Sequence, residues 1–73
     1  MIYIQEHFSD SESVTISVDG LLTRESVDTL REVLMHHLKE GKKVSVNLKK
    51  LNYISREGKM VLREFEDKVI LIY

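Results

Sequence analysis

Apolar residues recur along this chain with two different periods, and the switches between them mark out its elements. Residues 2 to 8, Ile-Tyr-Ile-Gln-Glu-His-Phe, mix β-branched and aromatic side chains before the polar run from Ser9 to Ser13, so they predict a strand closed by a turn. Val14, Ile16 and Val18 alternate with Thr15, Ser17 and Asp19, which predicts a second strand with one apolar and one wet face. Gly20 gives the chain freedom to leave that strand. The period then becomes helical: Val27, Leu30, Val33, Leu34 and Leu38 form one stripe. Thr23 stands where an N-cap is needed, Glu25 suits the positive end of the helix dipole, and Gly41 with Lys39, Lys42 and Lys43 suits the other end.

Val44, Val46 and Leu48 return to strict alternation and predict a third strand. Residues 51 to 58 read as a loop entering a short second helix, with Ser55 as its N-cap and Val61, Leu62 and Phe65 as its inward stripe. Val69 to Tyr73 is apolar at every position and too short for a helix, so it reads as an interior strand. The order β-β-α-β-α-β predicts an α/β fold with a small mixed four-stranded sheet, an opening hairpin, right-handed parallel crossovers and both helices on one face. With no repeat and no linker-like stretch, residues 1 to 73 are expected to form a single domain.

Composition narrows the function classes. The chain is 42% hydrophobic and 32% charged with no proline, which fits a compact soluble domain rather than a disordered segment. No apolar run approaches the roughly 20 residues of a membrane span, and the start of the chain lacks the apolar stretch of a signal peptide, so a cytoplasmic location without membrane insertion is expected. Without cysteine there is no disulfide to reinforce so small a core, and stability should be modest or borrowed from a partner.

The net charge of −1 hides an asymmetry: residues 1 to 38 hold seven acids and two bases, residues 39 to 73 five acids and nine bases. Lys42, Lys43, Lys49 and Lys50 flank a strand and stand roughly 20 Å apart as two pairs, which argues against a nucleic-acid surface. Glu32, His36 and Glu40 share a helix face at metal-ligand spacing, but such alternation more commonly stabilises a surface, and His37 points about 100° away from His36; no metal is assigned. No Gly-rich phosphate loop, nucleophilic cysteine, His-x-x-x-His or nucleophile elbow is present. Neither an enzyme nor a cofactor site is expected.

The segment Val14 to Leu22, the helix carrying Val27, Leu30 and Leu34, and the segment Val44 to Gly58 together resemble the core of STAS domains of the anti-sigma-factor-antagonist type, over about residues 14 to 66. The resemblance implies the fold above and a role in binding other proteins. Family members carry aspartate, serine, serine and glycine where this chain has Ser55, Arg56, Glu57 and Gly58, and the second serine is the one a partner kinase phosphorylates. Glu57 has no hydroxyl to accept a phosphoryl group and sets a permanent negative charge near a helix start. Thr23 replaces the aspartate that follows the family's second strand, and Lys59 replaces the leucine after its glycine. Ser55 is read first as a cap, and only second as a relocated phosphate acceptor.

By resemblance, Thr23 and Ser55 to Gly58 form a docking surface for an anti-sigma factor or another GHKL-type kinase, with no phosphorylation at Glu57. Glu57 is read either as a fixed mimic of phosphate or simply as a favourable first-turn residue. The alternative is a structural or accessory STAS-like subunit of a larger assembly such as a transporter, or a self-associating domain. The chain is about one strand and one helix shorter than usual members, so its last apolar strand is expected to be covered by a partner or a second copy.

Overall fold

Seven elements follow one another in the computed structural model, which describes residues 1–73: β1 (Ile2–Asp10), β2 (Ser13–Leu22), α1 (Val27–Lys39), β3 (Lys43–Asn47), β4 (Leu51–Ile54), α2 (Arg56–Phe65) and β5 (Ile70–Ile72). The polar run after β1 is a turn at Ser11 and Glu12, where the Asp10 carboxylate accepts the Glu12 backbone N–H at 2.7 Å. It folds β1 back antiparallel on β2, from Ile2 opposite Gly20 to Phe8 opposite Val14.

The other edge of β2 is shared. Its first half pairs parallel with β3, from Ser13 opposite Lys43 to Ser17 opposite Asn47, and its last residues pair parallel with β4, Leu22 lying opposite Ile54. Outside β3 lies β5, also parallel, with Ser45 opposite Ile70 and Asn47 opposite Ile72. The sheet is therefore mixed, as its pattern predicted, but it has five strands in the order ββαββαβ.

The additional strand lies in the segment read as a loop. After β3 the Asn47 side-chain oxygen accepts the Lys49 N–H at 3.0 Å and the Leu48 carbonyl accepts the Leu51 N–H at 3.2 Å, so the chain steps out of β3 through a turn and continues in the same direction beside the far end of β2. Leu-Asn-Tyr-Ile carries no clean alternation, and its pairing depends on where β2 runs.

Val14, Ile16, Val18 and Leu22 of β2 and Val44 and Val46 of β3 bury one sheet face beneath Leu30 and Leu34 of α1 and Val61, Leu62 and Phe65 of α2. Both helices lie on this face. At about 1.5–3 kcal/mol for each fully buried aliphatic or aromatic side chain, this single layer supplies most of the drive to fold. Across the helices Arg31 joins Glu64 through two hydrogen bonds, Nε to Oε2 at 3.3 Å and Nη2 to Oε1 at 3.0 Å, and also binds Asp28. The hydrogen bond to Glu64, foremost, holds the Arg31 pKa above its ordinary value.

Two further expectations are corrected. Thr23 does not cap α1 with its side chain: the helix starts three residues later than that reading implies, with Ser26 at the N-cap position. The Thr23 carbonyl instead accepts the N–H groups of Ser26 at 2.8 Å and Val27 at 3.1 Å, closing a turn over residues 24 to 26, while the Ser26 hydroxyl donates back to the Leu21 carbonyl at 3.2 Å. The last strand is an edge strand rather than an interior one, because β5 is only three residues long and pairs with β3 alone. Val69 and Leu71 turn toward the core, whereas Ile70 remains 63% exposed.

Candidate protein-interaction site

Because β2 and β4 are parallel neighbours, their carboxyl ends emerge side by side. The Leu22 carbonyl accepts the Ser55 N–H at 2.9 Å, which fixes the segment after β4 against the segment after β2. Thr23 and Ser55–Gly58 thus come together at one end of the sheet, where open α/β sheets present their binding loops.

Ser55 has extended backbone angles, φ −77° and ψ 174°, and its hydroxyl accepts the Gly58 N–H at 3.1 Å. This is the N-cap its sequence position predicted. Gly58 is buried because α2 enters directly over the end of β2: a Cβ there would stand 2.8 Å from the Leu22 carbonyl oxygen, 2.9 Å from Leu22 Cγ and 3.0 Å from Ile54 Cγ2. Between these two fixed points Arg56 and Glu57 project into solvent from the first turn of the helix. Thr23 is half-buried beside them.

The exposed face continues down α2. Arg56, Lys59, Met60 and Arg63, at steps of three and four residues, line one shallow depression of about 310 Å³. A neighbouring groove of about 290 Å³ between α2 and β5 is lined by Ile54, Leu62, Leu71 and Tyr73, with Lys59, Arg63 and Glu66 at its rim. Sequence reasoning stopped at Gly58 and missed this extension, although the spacing of the three cations carried the signal.

A second polar cluster lies on α1, away from this end. His37 is only 3% exposed, its Nε2 faces a carboxylate oxygen of Glu6 on β1, its ring meets Phe8 edge-on, and its Nδ1 is buried without a partner. It sits three residues beyond Leu34 and seven beyond Leu30, on the buried stripe, and that position was the signal that placed it inside. The donor atoms of His36, His37 and Glu40 lie within 4.8 Å of one another, while Glu32, the third member of the trio considered from sequence, is not among them. Glu40 also accepts a hydrogen bond from Lys42 at 3.2 Å, and this bond above all holds its carboxyl below the usual carboxylate range. No helix is long and apolar enough to cross a membrane.

No known protein-family profile matches the chain, and no curated protein matches it in sequence. Solved structures do. The unphosphorylated form of the anti-sigma factor antagonist SpoIIAA superposes with a TM-score of 0.71 at 20% identity, over 97% of this chain and 68% of that one. A structure of Mglu gives a TM-score of 0.69 at 15% identity, over 96% of this chain and 18% of that one. An uncharacterized DUF3478-family protein with a SpoIIAA-like fold from Shewanella loihica PV-4 gives 0.66 at 18% identity, over 92% of this chain and 56% of that one. The chain therefore spans about two-thirds of SpoIIAA, just over half of the Shewanella protein and under a fifth of Mglu. At these identities the likeness is one of fold, and the fold is that of a SpoIIAA-like, STAS-like domain.

Proposed function

We infer that residues 1 to 73 act as one non-catalytic protein-binding module whose docking surface is the junction of β4 and α2, Ser55 to Gly58, together with Thr23. One observation carries this reading: Arg56 and Glu57 are free in solvent at the start of α2, held in place by the Ser55 cap and the close packing of Gly58. A rigid frame with unengaged charges at its tip suits recognition of another protein, because little backbone entropy remains to be lost on binding. The likeness to an anti-sigma factor antagonist favours a sigma-regulatory protein or a GHKL-type kinase in the cytoplasm as partner. Glu57 makes docking indifferent to phosphorylation at that position, and Ser55 spends its hydroxyl on the helix cap.

The test is affinity capture from the native lysate, comparing the wild-type chain with a folded Arg56→Ala, Glu57→Ala double variant. Loss of a kinase-like or sigma-regulatory protein with the variant supports the reading; capture that survives both substitutions refutes it. The open β5 edge favours a second reading, an accessory subunit or self-associating domain held through that strand. Ile70→Lys, at a position 63% exposed and so compatible with folding, removes assembly in that case and leaves it intact in the first.

A further inference from the structure

We propose that the outer face of α2 binds an acidic protein segment, gripped by Arg56, Lys59 and Arg63 and anchored through an apolar side chain in the adjoining groove between α2 and β5. The inference rests on the docking reading above and names the chemistry of its partner. Three features of the helix converge on it.

First, none of the three cations is used by the fold. The ion pairs of the structure engage Arg31, His36, His37 and Lys42, and none reaches Arg56, Lys59 or Arg63. Glu64, on the flank facing α1, is taken by Arg31.

Second, the arrangement is unfavourable for an isolated helix. Arg56 occupies the first helical position, at the positive end of the dipole, and Lys59 stands three residues after Arg56 and four before Arg63, so like charges are neighbours, although Arg63 itself, in the last turn, suits the dipole. A surface needing only to be wet is served as well by glutamate or glutamine at the first two positions. At Arg56 and Lys59 the cationic stripe is thus a local cost that the fold does not require.

Third, the charge adjoins an apolar cleft. Lys59 and Arg63 border both the charged depression and the groove of Ile54, Leu62, Leu71 and Tyr73. A segment placing carboxylates along α2 and one apolar side chain beside them meets both surfaces at once. Nucleic acid fits less well: Glu57 and Glu64 border the stripe on one flank and Glu66 on the other, and a uniformly charged backbone cannot avoid them, whereas a peptide can set neutral residues opposite.

Fluorescence anisotropy with the full chain tests this. The probes are a labelled peptide of about 14 residues, long enough to span the ~15 Å of α2, with glutamates and leucines at helical spacing, the same peptide with glutamine for glutamate, and an oligothymidine of similar length. The acidic peptide is expected to bind, to weaken about tenfold in Arg56→Gln, Lys59→Gln, Arg63→Gln, and to weaken likewise between about 0.05 and 0.3 M salt. Equal binding of the glutamine peptide, unchanged binding by the triple variant, tighter binding of oligothymidine, or no binding of any probe overturns the proposal. Partner capture with Lys59→Gln, Arg63→Gln separates it from the reading it rests on. Loss of partner in that variant supports the stripe, whereas loss only in Arg56→Ala, Glu57→Ala keeps the docking junction and overturns the stripe.

Discussion

Replacing Gly58 by alanine sets two opposing effects against each other, and the structure decides the sign. In a solvent-facing helix, glycine to alanine stabilises by about 1 kcal/mol, because glycine gives up the most backbone freedom on folding. Gly58 does not face solvent, and its φ is not positive, so neither conformational freedom nor chance accounts for it. An added methyl would lie 2.8 Å from the Leu22 carbonyl oxygen and 2.9 Å from Leu22 Cγ, both closer than Cβ contacts allow. Neither atom can retreat cheaply. The Leu22 side chain is 0% exposed within the core, and its carbonyl accepts the Ser55 N–H at 2.9 Å, the bond that seats the start of α2. Overpacking of this kind costs about 1–3 kcal/mol. Against the gain in propensity, the net expectation is a loss of about 1 kcal/mol, or roughly 4–8 °C in midpoint for a domain of this size. Urea unfolding followed by circular dichroism measures it, with Met60→Ala on the exposed face of the same helix as a control expected to move by less than about 0.5 kcal/mol. A Gly58→Ala chain more stable than wild type would show that α2 does not approach β2 as described and would refute the geometry of the junction.

Other substitutions probe the remaining polar features. Ser55→Ala removes the acceptor of the Gly58 N–H and should cost about 1 kcal/mol in urea unfolding, with unchanged stability contradicting the cap. Glu6→Ala leaves the buried His37 with neither ring nitrogen paired to a side chain and should cost about 1–3 kcal/mol, most of it recovered in Glu6→Gln, which keeps an acceptor oxygen; equal loss in both variants would count against that hydrogen bond. The folded-state pKa of Glu40 is depressed, so its contribution to stability is present above the ordinary carboxylate pKa and is lost as pH falls through the depressed value. Lys42→Gln should raise the Glu40 midpoint in a carboxyl-resolved NMR titration; an unmoved midpoint would exclude the Lys42 hydrogen bond as its cause.

What the sequence made legible was what periodicity controls. Val14, Ile16 and Val18 at every second position and Leu30 and Leu34 four apart each bury a side chain where the pattern said they would, because alternation and helical stripes are consequences of strand and helix geometry. The features that stayed hidden depend on partners distant in sequence. Leu51 to Ile54 becomes a strand only because the end of β2 offers a free edge, and Ile70 is exposed because it alternates with Val69 and Leu71 and so lies on the sheet face that neither helix covers. The Thr23 cap failed for a related reason: an N-cap residue is recognised by type, but Thr23 and Ser26 are both of capping type after β2, and the turn closed by the Thr23 carbonyl set the start at Val27.

The same distinction divides the candidate site itself. Among the four positions where STAS-like chains carry their polar signature, Gly58 matches the family and Ser55, Arg56 and Glu57 depart from it. Gly58 is the one of the four without room for a Cβ, so the packing of α2 on β2 dictates it in this chain. Ser55 is constrained less, since several residue types can cap a helix, and the chain uses one of them. Arg56 and Glu57 are exposed and form no ion pair, so the fold leaves their identity open. A surface of which the frame is dictated and the charges are free can change its charge pattern without changing its shape. For that reason the likeness to SpoIIAA reaches the fold that seats α2 on β2, whereas the docking role proposed for Arg56, Glu57 and the cations along α2 stands or falls with the binding experiments on those side chains.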